Sequence, residues 1–272
     1  MNKIKHKEGR PNTEPLFTWA RQTLNRWPRL QKKLKVVYYA LRREPPVSYS
    51  KITKDLIRAC VGKDNPTILE IGCNDGTHTI WFLEIFKNPK IYCFEPDPRA
   101  IANFKNKVGR HDNVHLFEMA LSDRNGEIAF YQSGGWHKAR EDWDLSGSIR
   151  KPKEHLMAYP WVTFDRAITV KTVTLDAWCS EHEVEHIDFI WMDVQGAEID
   201  VFKGGVNVLA KTDIIYTEYS NKELYEGQFT LKQLLKQLRA FKVLIRYPGD
   251  VLLAHKRLNP LPEKLLWKNA KA

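Results

Sequence analysis

The chain has 272 residues, which is enough to bury a full hydrophobic core in one domain of ordinary size. Hydrophobic residues make up 43% of it and charged residues 28%, a balance that argues against disordered and fibrous proteins. No apolar run approaches the ~20 residues of a membrane-spanning helix. The first residues also lack the apolar segment of a secretion signal, so we expect a cytoplasmic protein.

The formal net charge of +10 is concentrated in the first part of the chain. Residues 1–43 hold 12 Lys or Arg against two Glu, whereas the other 229 residues hold 31 charges of each sign. Apolar residues recur at helical spacing on both sides of Pro28, so residues 1–50 are predicted to form a basic amphipathic helical arm. Three roles are open for this arm: peripheral binding to an anionic membrane at its inner face, docking of a protein partner, or cover for the protein's own core.

From residue 67 onward, patterns typical of strands and helices alternate along the chain. The predicted strands are Thr67–Ile71, Ile91–Phe94, Val114–Met119, Ile128–Tyr131, Val170–Val173, Phe189–Met192, Ile214–Thr217, Val243–Ile245 and Val251–His255. The predicted helices are Thr77–Phe86, a helix that Pro98 opens, Glu198–Leu209 and Leu231–Leu238. The alternation predicts an α/β domain over residues 51–258, with a doubly wound, mostly parallel sheet and helices on both faces.

The segment at residues 133–168 interrupts this alternation and is predicted to be an inserted substrate loop or lid, because loops of such length are usually functional or disordered. In it, His137 is flanked by Trp136, Trp143 and Trp161, which offer flat faces for a sugar ring beside an imidazole that can act in catalysis. A plain surface position is the other interpretation of His137. Residues 259–272 are predicted to be a basic C-terminal tail.

The first two predicted strands end in residues suited to a nucleoside ligand. After the first strand comes the loop GCNDG at residues 72–76, whose glycines permit a tight turn and close approach of the backbone to a ligand. A dinucleotide site would have G-x-G-x-x-G, whereas this loop is G-x-x-x-G with carboxylates at Glu70 and Asp75. Glu95, which follows the second strand, can accept hydrogen bonds from both ribose hydroxyls of an adenosyl group. These features favour S-adenosylmethionine, whose ammonium and sulfonium groups suit acidic surroundings; an ordinary turn with a surface Glu is the alternative.

Between Pro66 and Ile245 the chain contains short motifs that resemble those of the FkbM family of methyltransferases and follow one another in the same order. In the first motif an acid that ends a strand is followed by G-A-N-x-G and then by a Thr; it is matched here by Glu70, Gly72, Asn74, Gly76 and Thr79. The others are F-E-P-x-P at residues 94–98, A-L-S-D-x-x-G at residues 120–126, T-L-D at residues 174–176 and D-V-E-G-A-E at residues 193–198. The chain departs from the family at Cys73, where Ala is usual, and at Gln195, where Glu is usual.

The resemblance implies S-adenosylmethionine as the cofactor and O-methylation of a hydroxyl group, often on a sugar or a natural product. It implies that the cofactor is held by Glu70, Gly72, Asn74, Gly76, Thr79 and Glu95. By the same resemblance Met119 and Ala120 lie near the adenine, although Met119 is equally suited to the core.

Methyl transfer to a hydroxyl group is helped by a base that takes up the hydroxyl proton. Asp193 ends the strand Phe189–Met192 and Glu218 ends Ile214–Thr217, so both are candidates for this base at the cofactor edge of the sheet. The same two carboxylates suit a divalent cation such as magnesium, which would lower the hydroxyl pKa. A purely structural alternative is that Asp193 caps the helix that follows it.

The sequence therefore predicts an S-adenosylmethionine-dependent O-methyltransferase that acts on a hydroxyl group of a glycan, a glycolipid precursor or a related metabolite. A nucleic-acid methyltransferase is the alternative among enzymes, suggested by the basic arm. The residues after Asp193 are not the Pro-Pro-aromatic motif of many base-amino methyltransferases, so nucleic acid is not the expected partner. Outside enzymes, the alternative is a non-catalytic scaffold that binds the cofactor and is recruited by its arm.

Overall fold

The structure, a computed structural model, describes residues 47–137 and 142–258. The predicted arm, apart from its last four residues, and the predicted tail at residues 259–272 lie outside the described residues. The strands are β1 (Thr67–Ile71), β2 (Lys90–Phe94), β3 (Val114–Phe117), β4 (Ala120–Ser122), β5 (Gly126–Gly135), β6 (Val162–Thr174), β7 (Ile187–Met192), β8 (Thr212–Glu218), β9 (Phe241–Arg246) and β10 (Asp250–His255). The helices are α1 (Lys54–Val61), α2 (Thr77–Ile85), α3 (Pro98–Val108), α4 (His155–Ala158), α5 (Leu175–Glu181), α6 (Glu198–Gly204), α7 (Val206–Leu209) and α8 (Leu231–Gln237).

One sheet contains seven of these strands in the order β3-β2-β1-β7-β8-β10-β9. The first five in this order are parallel, and β10 is antiparallel to both β8 and β9. The chain winds from β1 to β3 on one side and then returns through β7 to build the other side. This is the doubly wound, mostly parallel sheet that the sequence predicts. Ligands bind such sheets at the carboxyl ends of the strands where the order reverses, here between β1 and β7.

Helices cover both faces of the sheet, because its central strands are apolar on both sides. On β1, Ile68 packs into one hydrophobic cluster with residues of α1, α2 and α3. Its neighbours Leu69 and Ile71 pack into a second cluster with residues of α5, α6 and α8. Each fully buried side chain of this size stabilises the fold by about 1.5–3 kcal/mol. The central strands therefore form a rigid base for the loops at their ends.

A second sheet, in the order β4-β6-β5, carries the insertion. β5 and β6 form a long antiparallel ladder that reaches from Gly126 and Thr172 to Gly135 and Val162. The segment predicted as a loop at residues 133–168 is therefore strand at both ends, and the connection between the strands is residues 136–161. The local pattern does not show this, because the ladder depends on pairing with a distant strand.

Among the described helices, none has both the length and the apolar composition needed to cross a bilayer.

Candidate active site

A cavity of about 300 Å³ lies at the carboxyl ends of β1, β2 and β7. Of the predicted site residues, its wall includes Gly72, Asn74, Glu95, Met119, Ala120 and Asp193. Residues 144, 145 and 147–149 of the insertion also line it. Among the described residues, no Lys or Arg lines this cavity, which makes it a poor site for a pyrophosphate.

The loop after β1 comes so close to the loop after β7 that only glycine fits at residue 72. Gly72 has φ 81°, and a Cβ atom there would lie 1.9 Å from the carbonyl oxygen of Asp193. The N–H groups of Gly72 and Cys73 both donate to the carbonyl of Phe94, at 2.9 and 3.1 Å. Asn74 follows with φ 44°, a left-handed conformation that Asn tolerates better than most residues. These bonds hold the backbone of the loop at the cavity wall.

Three predicted residues support this loop from behind and do not line the cavity. Glu70 is fully buried and accepts a 2.5 Å hydrogen bond from the Thr79 hydroxyl. Burial raises the pKa of Glu70 to about 8. Gly76 has φ 77°, and a Cβ atom there would lie 2.3 Å from Val108 of α3, so its lack of a side chain allows α3 to pack closely. Asp75 also faces away, since it binds the N–H and hydroxyl of Thr77 and pairs with Lys107.

Glu95 lies on the cavity wall and is 6% exposed. One carboxylate oxygen accepts the N–H of Asn74 at 2.9 Å, and the other accepts the N–H of Asp97 at 2.8 Å. Burial raises the pKa of Glu95 to about 8. Each oxygen keeps a further lone pair, so this carboxyl group can still accept bonds from two ribose hydroxyls.

The cavity wall beyond Glu95 is apolar and suits a flat base. It is formed by Met119, Ala120, Leu121, Phe130 and Ile149. Met119 also packs against the hydrophobic cluster that contains Leu69 and Ile71, so it belongs to both the core and the cavity wall.

Asp193 and Glu218 are brought together through Gln195. The Nε2 atom of Gln195 donates to Asp193 Oδ1 at 2.6 Å and to Glu218 Oε2 at 3.0 Å. Asp193 is exposed at the cavity, whereas Glu218 is partly buried and does not line it. Burial and the charges of Asp193 and Glu198 raise the pKa of Glu218 well above its usual value. Glu198 and Asp250 add to this acidic group, and burial raises their pKa values to about 7 and about 6.

Hydrogen bonds connect the insertion to Gln195 and to residues near the acidic group. The Ser148 hydroxyl donates to the backbone carbonyl of Gln195 at 2.8 Å. The Tyr225 hydroxyl lies 2.8 Å from the carbonyl of Ser146 and 3.1 Å from Oε1 of Gln195. Arg150 forms two 2.7 Å hydrogen bonds with the carboxylate of Asp200. The insertion and the acidic group therefore belong to one hydrogen-bond network.

His137 lies outside the cavity wall. Its ring centroid is 4.8 Å from that of Trp161 and 5.4 Å from that of Trp143, whereas Trp136 is 64% exposed. The cavity wall also includes residues that were not predicted as site residues, among them the polar side chains of His78, Ser148 and Gln195. Of these three, only Gln195 had a signal in the sequence, which was its departure from the family pattern.

A family model for the methyltransferase FkbM domain matches residues 70–243. The chain belongs to the FkbM family of methyltransferases. This FkbM methyltransferase is 48% identical to 2-O-methyltransferase NoeI of Sinorhizobium fredii (strain NBRC 101917 / NGR234) over 233 residues, which are 84% of the chain and 94% of that relative. It is 23% identical to hexuronic acid methyltransferase AglP of Haloferax volcanii over 172 residues, 61% of each chain. Among solved structures it is similar to the O-methyltransferase from Bacillus cereus in complex with SAH, with TM-score 0.43, 14% identity and coverage of 82% of this chain and 90% of that one.

The family assignment confirms the predicted S-adenosylmethionine-dependent methyltransferase. The residues of the cavity wall also fit this cofactor. The side-chain oxygen Oδ1 of Asn74 is buried without a hydrogen-bond partner among the described residues, although Asn74 lines the cavity. A buried acceptor without a partner costs about 1–3 kcal/mol. A donor on a bound ligand, such as an ammonium or hydroxyl group, would remove this cost.

Proposed function

We propose that this FkbM methyltransferase transfers a methyl group from S-adenosylmethionine to a sugar hydroxyl of a glycan, a glycolipid precursor or a related metabolite. The observation that carries the proposal is the exposed carboxylate of Asp193 on the wall of the cavity that Glu95 also lines. The names of the two relatives, a 2-O-methyltransferase and a hexuronic acid methyltransferase, support a sugar hydroxyl as the acceptor.

The bound cofactor would supply an electrophilic methyl carbon on a positively charged sulfur. Asp193 would take the hydroxyl proton as the acceptor oxygen bonds to that carbon and the carbon–sulfur bond breaks, which leaves S-adenosylhomocysteine. General-base help of this kind is worth about 10²–10⁴-fold. We assign this role to Asp193 and not to Glu218, because Asp193 lines the cavity, whereas Glu218 does not line it and lies behind Gln195. Glu218 then acts by holding the amide of Gln195. The predicted lid would exclude water from the reacting atoms.

The divalent cation predicted at Asp193 and Glu218 is the alternative way to activate the hydroxyl. Here the amide N–H group of Gln195 donates to both carboxylates, and an N–H group cannot ligate a cation. We therefore propose turnover without added metal. Among the described residues, metal-ligand atoms cluster within 4.8 Å only at His186, Asp188 and Asp213, which do not line the cavity.

The first experiment measures binding of S-adenosylhomocysteine by calorimetry to the wild-type chain and to Glu95→Ala. We expect the wild type to bind and Glu95→Ala to bind at least about tenfold more weakly, because the variant loses two hydrogen bonds to the ribose. Absence of wild-type binding would refute the cofactor assignment.

The second experiment offers labelled cofactor with fractionated glycans, lipids, small metabolites and nucleic acids from the source organism. We expect label in a sugar-containing fraction. Asp193→Asn should lower kcat about 10²-fold or more while S-adenosylhomocysteine still binds. The control Asp165→Asn changes an exposed carboxylate of β6 and should leave kcat unchanged. Label in nucleic acid alone would favour the nucleic-acid alternative, and binding without transfer to any fraction would favour the scaffold.

Residues 1–43 lie outside the described residues, so binding of an anionic membrane or a protein partner through this arm stays a prediction. Sedimentation with vesicles of anionic and of neutral lipid, using the full chain and a chain that begins at residue 44, would test it. Equal sedimentation of both chains would refute a role for the arm.

A further inference from the structure

His78 lines the cavity and has no role in the methyl transfer described above. It is the second residue of α2, and its ring packs against Trp191 of β7 with the ring centroids 4.2 Å apart. Its Nδ1 atom lies 4.0 Å from Oε1 of Glu70. Since β2 and β7 lie on opposite sides of β1, His78 and Glu95 lie towards opposite ends of the cavity.

The position of Glu95 sets the direction in which the cofactor must lie. With the ribose at Glu95 and the adenine on the apolar wall at Met119 and Ala120, the amino acid part of the cofactor points the other way, towards Gly72, His78 and Asp193. That part carries an ammonium group and a carboxylate. The unpaired Oδ1 of Asn74 is an acceptor, so it suits the ammonium group.

The carboxylate needs a donor instead, and the cavity wall offers few. Among the described residues, His78 is the only His, Lys or Arg on this wall. It also lies in the first turn of α2, a nine-residue helix whose positive end favours a nearby anion. The side chain and the helix end therefore point to the same ligand chemistry.

We propose that His78 binds the α-carboxylate of the cofactor and so makes the enzyme selective for cofactors that carry this group. The proposal rests on the proposed function, because it places S-adenosylmethionine in this cavity.

The surroundings of His78 make this contact sensitive to pH. Burial lowers the pKa of His78; Asp193 and Asp75 act in the opposite direction, and Lys107 adds to the lowering. The net lowering favours the neutral imidazole. A bound carboxylate favours the protonated imidazole, so binding takes up a proton and becomes tighter as the pH falls from 8 to 6. Glu70 and Glu95 titrate in the same range, but their effect is shared by every adenosyl ligand that lies in the same position.

Two ligands that differ by one carboxylate test the proposal: S-adenosylmethionine and decarboxylated S-adenosylmethionine. Their dissociation constants are measured by calorimetry at pH 6 and pH 8. For the wild type we expect about tenfold or stronger preference for S-adenosylmethionine at pH 6, because one hydrogen bond between charged groups is worth at least that factor. The preference should shrink at pH 8.

Two variants separate the imidazole from its packing. His78→Phe keeps a ring against Trp191 and should bind the two ligands with nearly equal affinity, while binding of the decarboxylated ligand changes less than about threefold. His78→Gln keeps a neutral donor, so it should keep part of the preference and lose its pH dependence. His115→Phe is the matched control, since His115 stacks on Tyr92 outside the cavity and should behave as the wild type.

An equal loss of affinity for both ligands in His78→Phe, or an unchanged preference, would overturn the proposal and leave the proposed function intact. If neither ligand binds the wild type, the cofactor assignment fails and this proposal fails with it.

Discussion

Replacement of Gln195 by Glu tests whether the amide between Asp193 and Glu218 controls the protonation of the acidic group. In the structure one Nε2 atom donates to both carboxylates, at 2.6 and 3.0 Å. The variant removes both donors and adds a third carboxyl group between the other two. The family that this chain belongs to usually has Glu at this position, so the fold should tolerate the change.

The size of the effect follows from the bonds that are lost. Each hydrogen bond to a charged group is worth about 1.5–3 kcal/mol. A proton shared between the new carboxyl group and one of its neighbours restores one of the two bonds. Full ionisation breaks this bond again and therefore costs about 1.5–3 kcal/mol more than in the wild type. Since one pH unit corresponds to 1.36 kcal/mol, the extra proton is retained to a pH about 1–2 units higher. The acidic limb of the pH profile of kcat/KM should move up by the same amount.

The assay is the pH dependence, from pH 5 to 9, of methyl transfer to the acceptor that the labelling experiment identifies. The control is Gln237→Glu, which adds the same charge at an exposed position of α8 and should leave the profile unchanged. Calorimetric binding of S-adenosylhomocysteine shows whether the variant is folded. A folded Gln195→Glu with a wild-type profile would refute the contact between Gln195 and the acidic pair.

Four further outcomes are expected. Gly72→Ala should weaken S-adenosylhomocysteine binding at least about tenfold through a clash with Asp193, whereas Gly249→Ala, which meets nothing within 4 Å, should not. Arg150→Ala should lower the free energy of unfolding by roughly 3 kcal/mol in urea, because it leaves Asp200 largely buried without its partner; the exposed Arg166→Ala should not. The melting temperature should fall as the pH rises from about 5 to 8, because Glu70 and Glu95, with pKa values of about 8, keep protons in the folded state that the unfolded chain releases; a rise would contradict their burial. Addition of EDTA should leave kcat unchanged, and loss of activity restored by magnesium would favour the cation alternative.

The central strands could be predicted closely from the sequence. β1 has the predicted bounds, β2 and β7 begin one or two residues earlier than predicted, and β8 extends beyond its predicted bounds at both ends. They are buried on both faces, so each one is a continuous apolar run between turn residues. The short helices α1 and α5 were not predicted, and the predicted helix Glu198–Leu209 is divided at Gly205 into α6 and α7. Short helices depend on tertiary packing more than on their own propensity.

The sequence by itself determined which residues end the parallel strands and which ligand they suit, because apolar periodicity, glycines and strand-end acids are local features. Only the tertiary structure decided what each acid does. Glu70 lies beneath the loop, Asp193 reaches the cavity, and Glu218 is held behind the amide of Gln195. The tertiary structure also places His78 against Trp191, and Ser148 of the insertion against Gln195. Exposure, desolvation and contacts between distant segments depend on how the whole chain packs, and no local pattern of residues contains them.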